Sequence, residues 1–177
     1  MATRTSMTDR MIGAAMLDVP TYEDVEHDET ATGQAAGVVA LAAVAQAIGN
    51  LGEGGVAMIG GLVAAMIGWV VWSGVTYLIG DKLFDARATW GEVLRAVGFA
   101  QSPGVLYVAG IVPLLGGLVE LAVAIWILVA GFIGLRQALD VGNVETLVTV
   151  VLGWLAMVVV MVVPMMMLGL GAGMAGL

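Results

Sequence analysis

Apolar residues run in long blocks along this chain, and the polar residues gather between the blocks. Residues 31–51 carry no formal charge, with Gln34 and Gln46 as their strongest polar groups. Residues 56–79 form a second block, 104–135 a third that is charged only at Glu120, and 144–168 a fourth. A hydrocarbon core of about 30 Å takes roughly 20 apolar residues in a helix. The first, second and fourth blocks therefore each predict one span. As one helix, 104–135 would run about 48 Å at 1.5 Å per residue, which overshoots the core. Pro113, Gly116, Gly117 and Glu120 cluster in its middle. That divides it into two short spans, about 102–117 and 120–136, which require a thinned bilayer or helix ends held in protein. The expected fold class is all-α: a polytopic integral membrane bundle of about five transmembrane helices, with short interfacial amphipathic helices.

The amphipathic helices come from the flanks. Residues 6–17 read as a short helix capped by Ser6 with Asp9 three positions on. Met7, Met11, Ala15 and Met16 fall on one face and Asp9 and Arg10 on another, a pattern suited to the membrane surface or to packing on the bundle. Pro20-Thr21 breaks it, and 21–30 is polar. Thr89-Trp90-Gly91-Glu92 fits a capping box, and Trp90, Val93, Leu94 and Val97 then recur at helical spacing. An interfacial helix is expected there, with Glu92 and Arg95 on its wet side. Asn50 to Gly55 reads as a tight turn carrying Glu53, and Gly80 as the end of the second span. Residues 136–143 are a polar connector. The organisation is a polar acidic arm (1–30), a transmembrane domain (31–170) and a flexible tail (171–177).

Composition supports a membrane class. With 60% hydrophobic and 11% charged residues, the chain lacks the polar surface of a soluble domain, which is about a quarter charged. The net charge of −8 is concentrated in the arm, where Asp9, Asp18, Glu23, Asp24, Glu26, Asp28 and Glu29 lie. Such a segment repels nucleic acid and anionic lipid. No cleavable signal peptide is evident in the first 30 residues. The basic residues are Arg4, Arg10, Lys82, Arg87, Arg95 and Arg136. With five spans and a cytoplasmic N-terminus, all of them fall inside, as cytoplasmic loops require. The C-terminus is then outside, and if the source is prokaryotic the membrane is the inner or plasma membrane.

Several stretches resemble the Yip (Ypt-interacting protein) family of five-span membrane proteins. They are Pro20-Thr21-Tyr22-Glu23-Asp24-Val25, Gln34-Ala35-Ala36-Gly37-Val38-Val39, and the loop Thr89-Trp90-Gly91-Glu92-Val93-Leu94-Arg95. Gly98-Phe99-Ala100-Gln101-Ser102-Pro103 is similar to the family's Gly-Tyr-x-x-x-Pro element, with Phe99 where Tyr is expected. Ile111-Val112-Pro113-Leu114-Leu115-Gly116, Ile125-Trp126 and Gly134-Leu135-Arg136-Gln137-Ala138-Leu139 complete the pattern over roughly residues 20–170. The resemblance implies a polytopic membrane adaptor. Eukaryotic members are associated with Rab-type GTPases and vesicle traffic between endoplasmic reticulum and Golgi. The short arm and the Ala/Gly/Val/Met usage look more like prokaryotic members, so small-GTPase binding is not carried over. The interaction residues taken from the matching segments are Tyr22, Trp90, Glu92, Arg95, Phe99 and Pro103.

Enzymatic chemistry has little to stand on. There is no cysteine and a single histidine, His27, which reads as a solvated group in the acidic arm. No zinc ligand set or catalytic triad can be assembled from that. Phosphate-binding and nucleophile-elbow motifs are absent. Met161, Met165, Met166 and Met167 read as apolar packing rather than a copper track. Gly33-x-x-x-Gly37 and Gly169-x-x-x-Gly173 read as close helix packing within the chain. Every charged residue fits a loop or a helix end, which argues against a proton-coupled pump. No catalytic, cofactor or metal site is expected. The expected function is a non-enzymatic membrane adaptor or scaffold, with a role in membrane organisation or trafficking-like processes, whose partners are the lipid bilayer, other membrane proteins or a second copy. A small transporter or channel, or an accessory subunit of a larger membrane complex, is the alternative.

Overall fold

The computed structural model describes residues 6–50, 55–112 and 116–174, with side chains placed for 6–50, 59–112 and 116–159. Among these residues there is no strand. In chain order come α1 (Met7–Ala15), α2 (Val19–His27), a 3-10 turn (Glu29–Ala31), α3 (Thr32–Gly49), α4 (Gly55–Phe84) and α5 (Trp90–Phe99). A 3-10 helix (Ser102–Ile111), α6 (Gly116–Ala138) and α7 (Asn143–Met174) follow. Three stretches are long and apolar enough to cross a membrane: Glu29–Gly49, Ile59–Phe84 and Gly116–Ala138. Asn143–Val159, within α7, is a shorter apolar stretch. Their outward faces are apolar too, with Ile59, Val63 and Ile67 on α4 and Leu118, Leu121 and Leu128 on α6 all exposed. Helices that are apolar all round need lipid, not water, outside them.

The third expected span departs most from the sequence reading. Residues 102–117 do not form one α-helix: the 3-10 helix ends at Ile111 and α6 starts at Gly116, so the break precedes the expected turn at 117–120. Nor does α5 lie on the surface, since Val93, Arg95, Ala96, Val97, Gly98 and Phe99 are all buried. Instead α5 and the 3-10 helix follow α3 in the same direction. A Cβ on Gly98 would lie 2.8 Å from the Ala35 Cβ, and one on Gly104 would lie 2.7 Å from the Ala42 Cβ. At the end of α3, a Cβ on Gly49 would collide with the Tyr107 carbonyl. The contact positions on α3 are thus Ala35, Ala42 and Gly49, seven apart, which keeps one face of a helix toward a neighbour. On the partner segment, three residues per turn align Gly104, Tyr107 and Gly110 along one side. The opposite residues Leu106, Val108, Ala109 and Ile111 are exposed. Ten α-helical and ten 3-10 residues together rise about 35 Å at 1.5 and 2.0 Å each.

Gly33 has open space around it, and Gly37 meets only the Met7 side chain, so the small-residue seam differs from the Gly33/Gly37 pair read in the sequence. Gly80 does not end α4 either. The Leu139 side chain fills the space beside it, and α4 continues to Phe84, where Asp85 takes a left-handed backbone (φ 50°). Asp140 (φ 53°) follows α6 in the same conformation, which Asp tolerates better than most residues. Residues 51–54 and 113–115, with Glu53 and Pro113, lie outside the described residues. So do the side chains of Pro164, the run Met161–Met167 and the Gly169/Gly173 pair. The backbone of α7 is helical to Met174, so the first part of the expected tail is helix.

The arm is a helical hairpin. Ser6 and Asp9 form the expected capping box of α1, with Asp9 N–H donating to Ser6 Oγ at 3.1 Å. After a corner at Met16-Leu17, Asp18 caps α2 and Pro20 sits in its first turn, where a missing N–H costs nothing. Pro20 therefore starts a second helix rather than a polar coil. The α1 helix lies across the bundle, from Met7 at Gly37 of α3 to Ala15, whose carbonyl accepts from Trp126 Nε1 of α6 at 2.7 Å. Its buried face carries Arg10 and Ala14, so Arg10 does not lie opposite the methionines.

The seam yields a stability prediction. Gly49→Val should lower the stability of the detergent-solubilised protein by about 1–3 kcal/mol, because it overpacks against backbone that cannot yield. Gly33→Ala, in open space, should leave stability equal or higher, by up to about 1 kcal/mol. Thermal melts of the two variants against the parent protein check this.

Candidate functional site

Polar side chains converge where the arm meets the start of α5. The last carbonyls of α2 have no partners inside that helix and form the negative end of its dipole. Arg95, one turn into α5, supplies the missing donors. Its Nε donates to Val25 O at 2.9 Å and to Glu26 O at 3.2 Å, its Nη2 donates to Glu26 O, and its Nη1 reaches Thr32 Oγ1 at 3.4 Å. Arg95 is 5% exposed. A buried cation is tolerable only when its donors are used, and here most are. The expected wet-side placement of Arg95 is thus overturned: the α2 end packs over α5 and covers it.

Arg10 does the same one layer out. Its Nε donates to Asp24 Oδ2 at 2.8 Å, its Nη2 to Asp28 Oδ2 at 2.7 Å and its Nη1 to Gln34 Oε1 at 3.1 Å, which ties α1 to α2 and α3. Hydrogen bonds from Thr30 and Arg10 hold the Asp28 carboxyl down to about 2. Two of the arm's acids are therefore internally neutralised.

Glu26 is the opposite case. It is 6% exposed, and its Oε2 has no hydrogen-bond partner. Its Oε1 lies 3.4 Å from His27 Nδ1, whose nearer partner is Glu23 O at 2.8 Å. Burial pushes the Glu26 carboxyl up to about 7, and the neighbouring charges of Asp140, Glu92 and Glu23 push the same way, against the lowering effect of His27. His27 itself is exposed, and its pKa is raised, chiefly by the hydrogen bond to Glu23 O.

Beside this cluster opens a cleft of about 530 Å³, lined by His27, Glu29, Thr32, Thr89, Glu92 and Arg95. The capping box of α5 forms one wall. Thr89 N–H donates to Glu92 Oε2 at 2.6 Å, and Glu92 N–H donates to Thr89 Oγ1 at 3.3 Å. With Arg95 already engaged by carbonyls, the cleft presents mainly acceptors. Among the described residues, no three His, Asp or Glu side chains gather as a metal ion needs.

The Yip1 domain family matches residues 20–165. The chain belongs to the Yip1 domain family. No curated protein and no solved structure matches it. The Yip1 match starts at Pro20 in the first turn of α2, so the domain includes that half of the arm while α1 and Arg10 precede it. All six interaction residues read from the sequence lie within the Yip1 domain, but the structure separates them. Tyr22, Phe99 and Pro103 are fully buried. The Tyr22 ring fills the place of a side chain at Gly134 on α6, and its hydroxyl donates to Ala14 O at 3.0 Å. Trp90 is 43% exposed, and its indole nitrogen lies over Gly74 of α4. Glu92 and Arg95 share the cleft, and of the six only these two line it. Sequence reading missed Arg10, Glu26, Asp28 and Thr32. An arginine spaced with Met7, Met11 and Ala14 on one helical face, ahead of six acids, was the available signal for Arg10.

Two outcomes are expected. Between pH 4.5 and about 7 the folded Yip1 domain holds a proton on Glu26 that the unfolded chain has released, so Glu26 costs stability as pH rises through that window. Glu26→Gln should therefore raise stability at pH 8 by roughly 2 kcal/mol, with the gain vanishing near pH 4.5, as read by thermal melts at both. Arg95→Met should lose at least about 2 kcal/mol. Arg95→Lys should recover only part, because an ammonium lacks the planar fork, and both should expose the arm to limited proteolysis.

Proposed function

We propose that this Yip1-family membrane protein is a non-enzymatic scaffold with five crossings, the α5/3-10 segment being the third. The N-terminus is cytoplasmic and the C-terminus outside. Its cytoplasmic end docks a basic segment of a partner protein. The observation that carries the reading is the cleft beside α2. The arm folds onto the bundle and brings Glu29 to a cleft that Glu92 of α5 also lines and whose arginine is spent on helix carbonyls. Glu23 and Asp140 add negative charge around Glu26 nearby. An acceptor-rich rim selects Lys or Arg side chains and repels anionic lipid headgroups, which favours a protein partner over the membrane surface.

The absence of native cysteine makes topology direct to test. Single cysteines at His27, Arg87 and Gln137 should react only from the cytoplasmic side, and one at Gly117 only from outside. Gln137 reacting from outside would remove the five-crossing arrangement. For docking, a Lys-rich peptide should bind the full chain in phosphatidylcholine nanodiscs, and binding should weaken with salt. The double reversal Glu23→Lys with Glu29→Lys should reduce that binding roughly tenfold. Equal binding of an acidic peptide would overturn the docking proposal.

A further inference from the structure

Below the polar end the bundle is not closed. An apolar crevice of about 540 Å³ opens between α6 and α7, with Ile127, Leu128, Phe132 and Leu135 on one wall and Val151 and Trp154 on the other. A smaller recess of about 210 Å³ lies between α3, α4 and the third segment. The two meet at Trp72, Val97 and Gln101, which line both. The large limb is almost wholly hydrocarbon in character. The small one gathers Gln101 and Tyr107, both half-buried, with an exposed Gln46 near the end of α3; among the described residues none of the three side chains makes a hydrogen bond. Among the described residues, neither limb is lined by an Asp, Glu, Lys or Arg.

We propose that this two-limbed crevice is a binding site for an uncharged amphiphile of the bilayer, a long hydrocarbon chain ending in a hydrogen-bonding head. An apolar gap between helices that face lipid fills with hydrocarbon rather than water. Gln101, about midway along the third segment, has little water to bond with there, and leaving its carboxamide unpaired is costly. A neutral head carrying hydroxyl or carbonyl oxygens satisfies it. A charged head would meet no counter-charge and would be desolvated at a cost the lining does not offset. The chain lies between α6 and α7, the head at Gln101 where the limbs join. Gly131 lines the large limb and has nothing within 4 Å of the place a Cβ would take, so it opens space for the chain without supporting a neighbour.

The test uses the full chain in phosphatidylcholine bilayers doped with diacylglycerol that carries a photoactivatable diazirine in one acyl chain. A matched phosphatidylcholine with the same chain serves as the comparison. Diacylglycerol labelling should concentrate on the facing walls of α6 and α7. Gly131→Leu, which fills the limb, should reduce it roughly tenfold. Gln101→Leu should reduce diacylglycerol labelling by a similar factor while leaving phosphatidylcholine labelling unchanged. Thermal melts check that both variants remain folded. Equal labelling by both lipids, insensitive to Gln101→Leu, would mean that ordinary bilayer chains fill the gap, and it would overturn the proposal. Labelling spread over the outer faces of α4 and α6 would overturn it as well.

Discussion

The bundle depends on the close approach of one segment to one helix. Between Trp90 and Ile111 the chain runs beside α3 at a separation that leaves no room for side chains at Gly98, Gly104 and Gly49. In lipid, helices gain little by hiding hydrocarbon from hydrocarbon, so such backbone approach is a main source of attraction. It also explains why α5 is not an interfacial helix. Once Gly98 sits on Ala35 and Gly104 on Ala42, α5 must enter the bundle, and Arg95 is carried in with it. The cover supplied by α2 then follows from the need to engage that cation.

Two arginines join the layers of the polar end. Arg95 binds the C-terminal carbonyls of α2, and Arg10 clamps α1 to the acids of α2 and the 3-10 turn. Both use a planar array of donors against several acceptors at once, which lysine cannot copy. The arm is thus fixed by charge while the transmembrane part is fixed by shape. Glu26, without a partner for Oε2, lies between the two regimes.

Much of this was legible in the chain. The blocks 31–51 and 56–79 became α3 and α4 within a few residues, because long uncharged runs have few alternatives. Both capping boxes, Ser6/Asp9 and Thr89/Glu92, formed as read, since their partners are three residues apart and depend on nothing distant. What could not be read depended on long-range partners. Arg95 carries the same spacing whether it faces water or the end of α2, and only the folded arm decides. The segment 102–111 has a hydropathy that fits any helix, and its three-residue period becomes visible only once α3 is seen to demand it. Of the six interaction residues, Trp90 and Glu92 retain accessible surface, while Tyr22, Phe99 and Pro103 carry the packing that motifs of this kind also encode.

A three-residue turn has a consequence for how this stretch can change over evolutionary time. In the 3-10 helix, side chains stack in straight columns, and Gly104, Tyr107 and Gly110 share one of them. Deleting a single residue before Tyr107 would turn the remaining columns by about a third of a circle, bringing Val108 and Ile111 round to face Gly49, and inserting one would bring Ala109 there instead. Length variation here is therefore confined to multiples of three, a reading frame imposed by packing rather than by the genetic code.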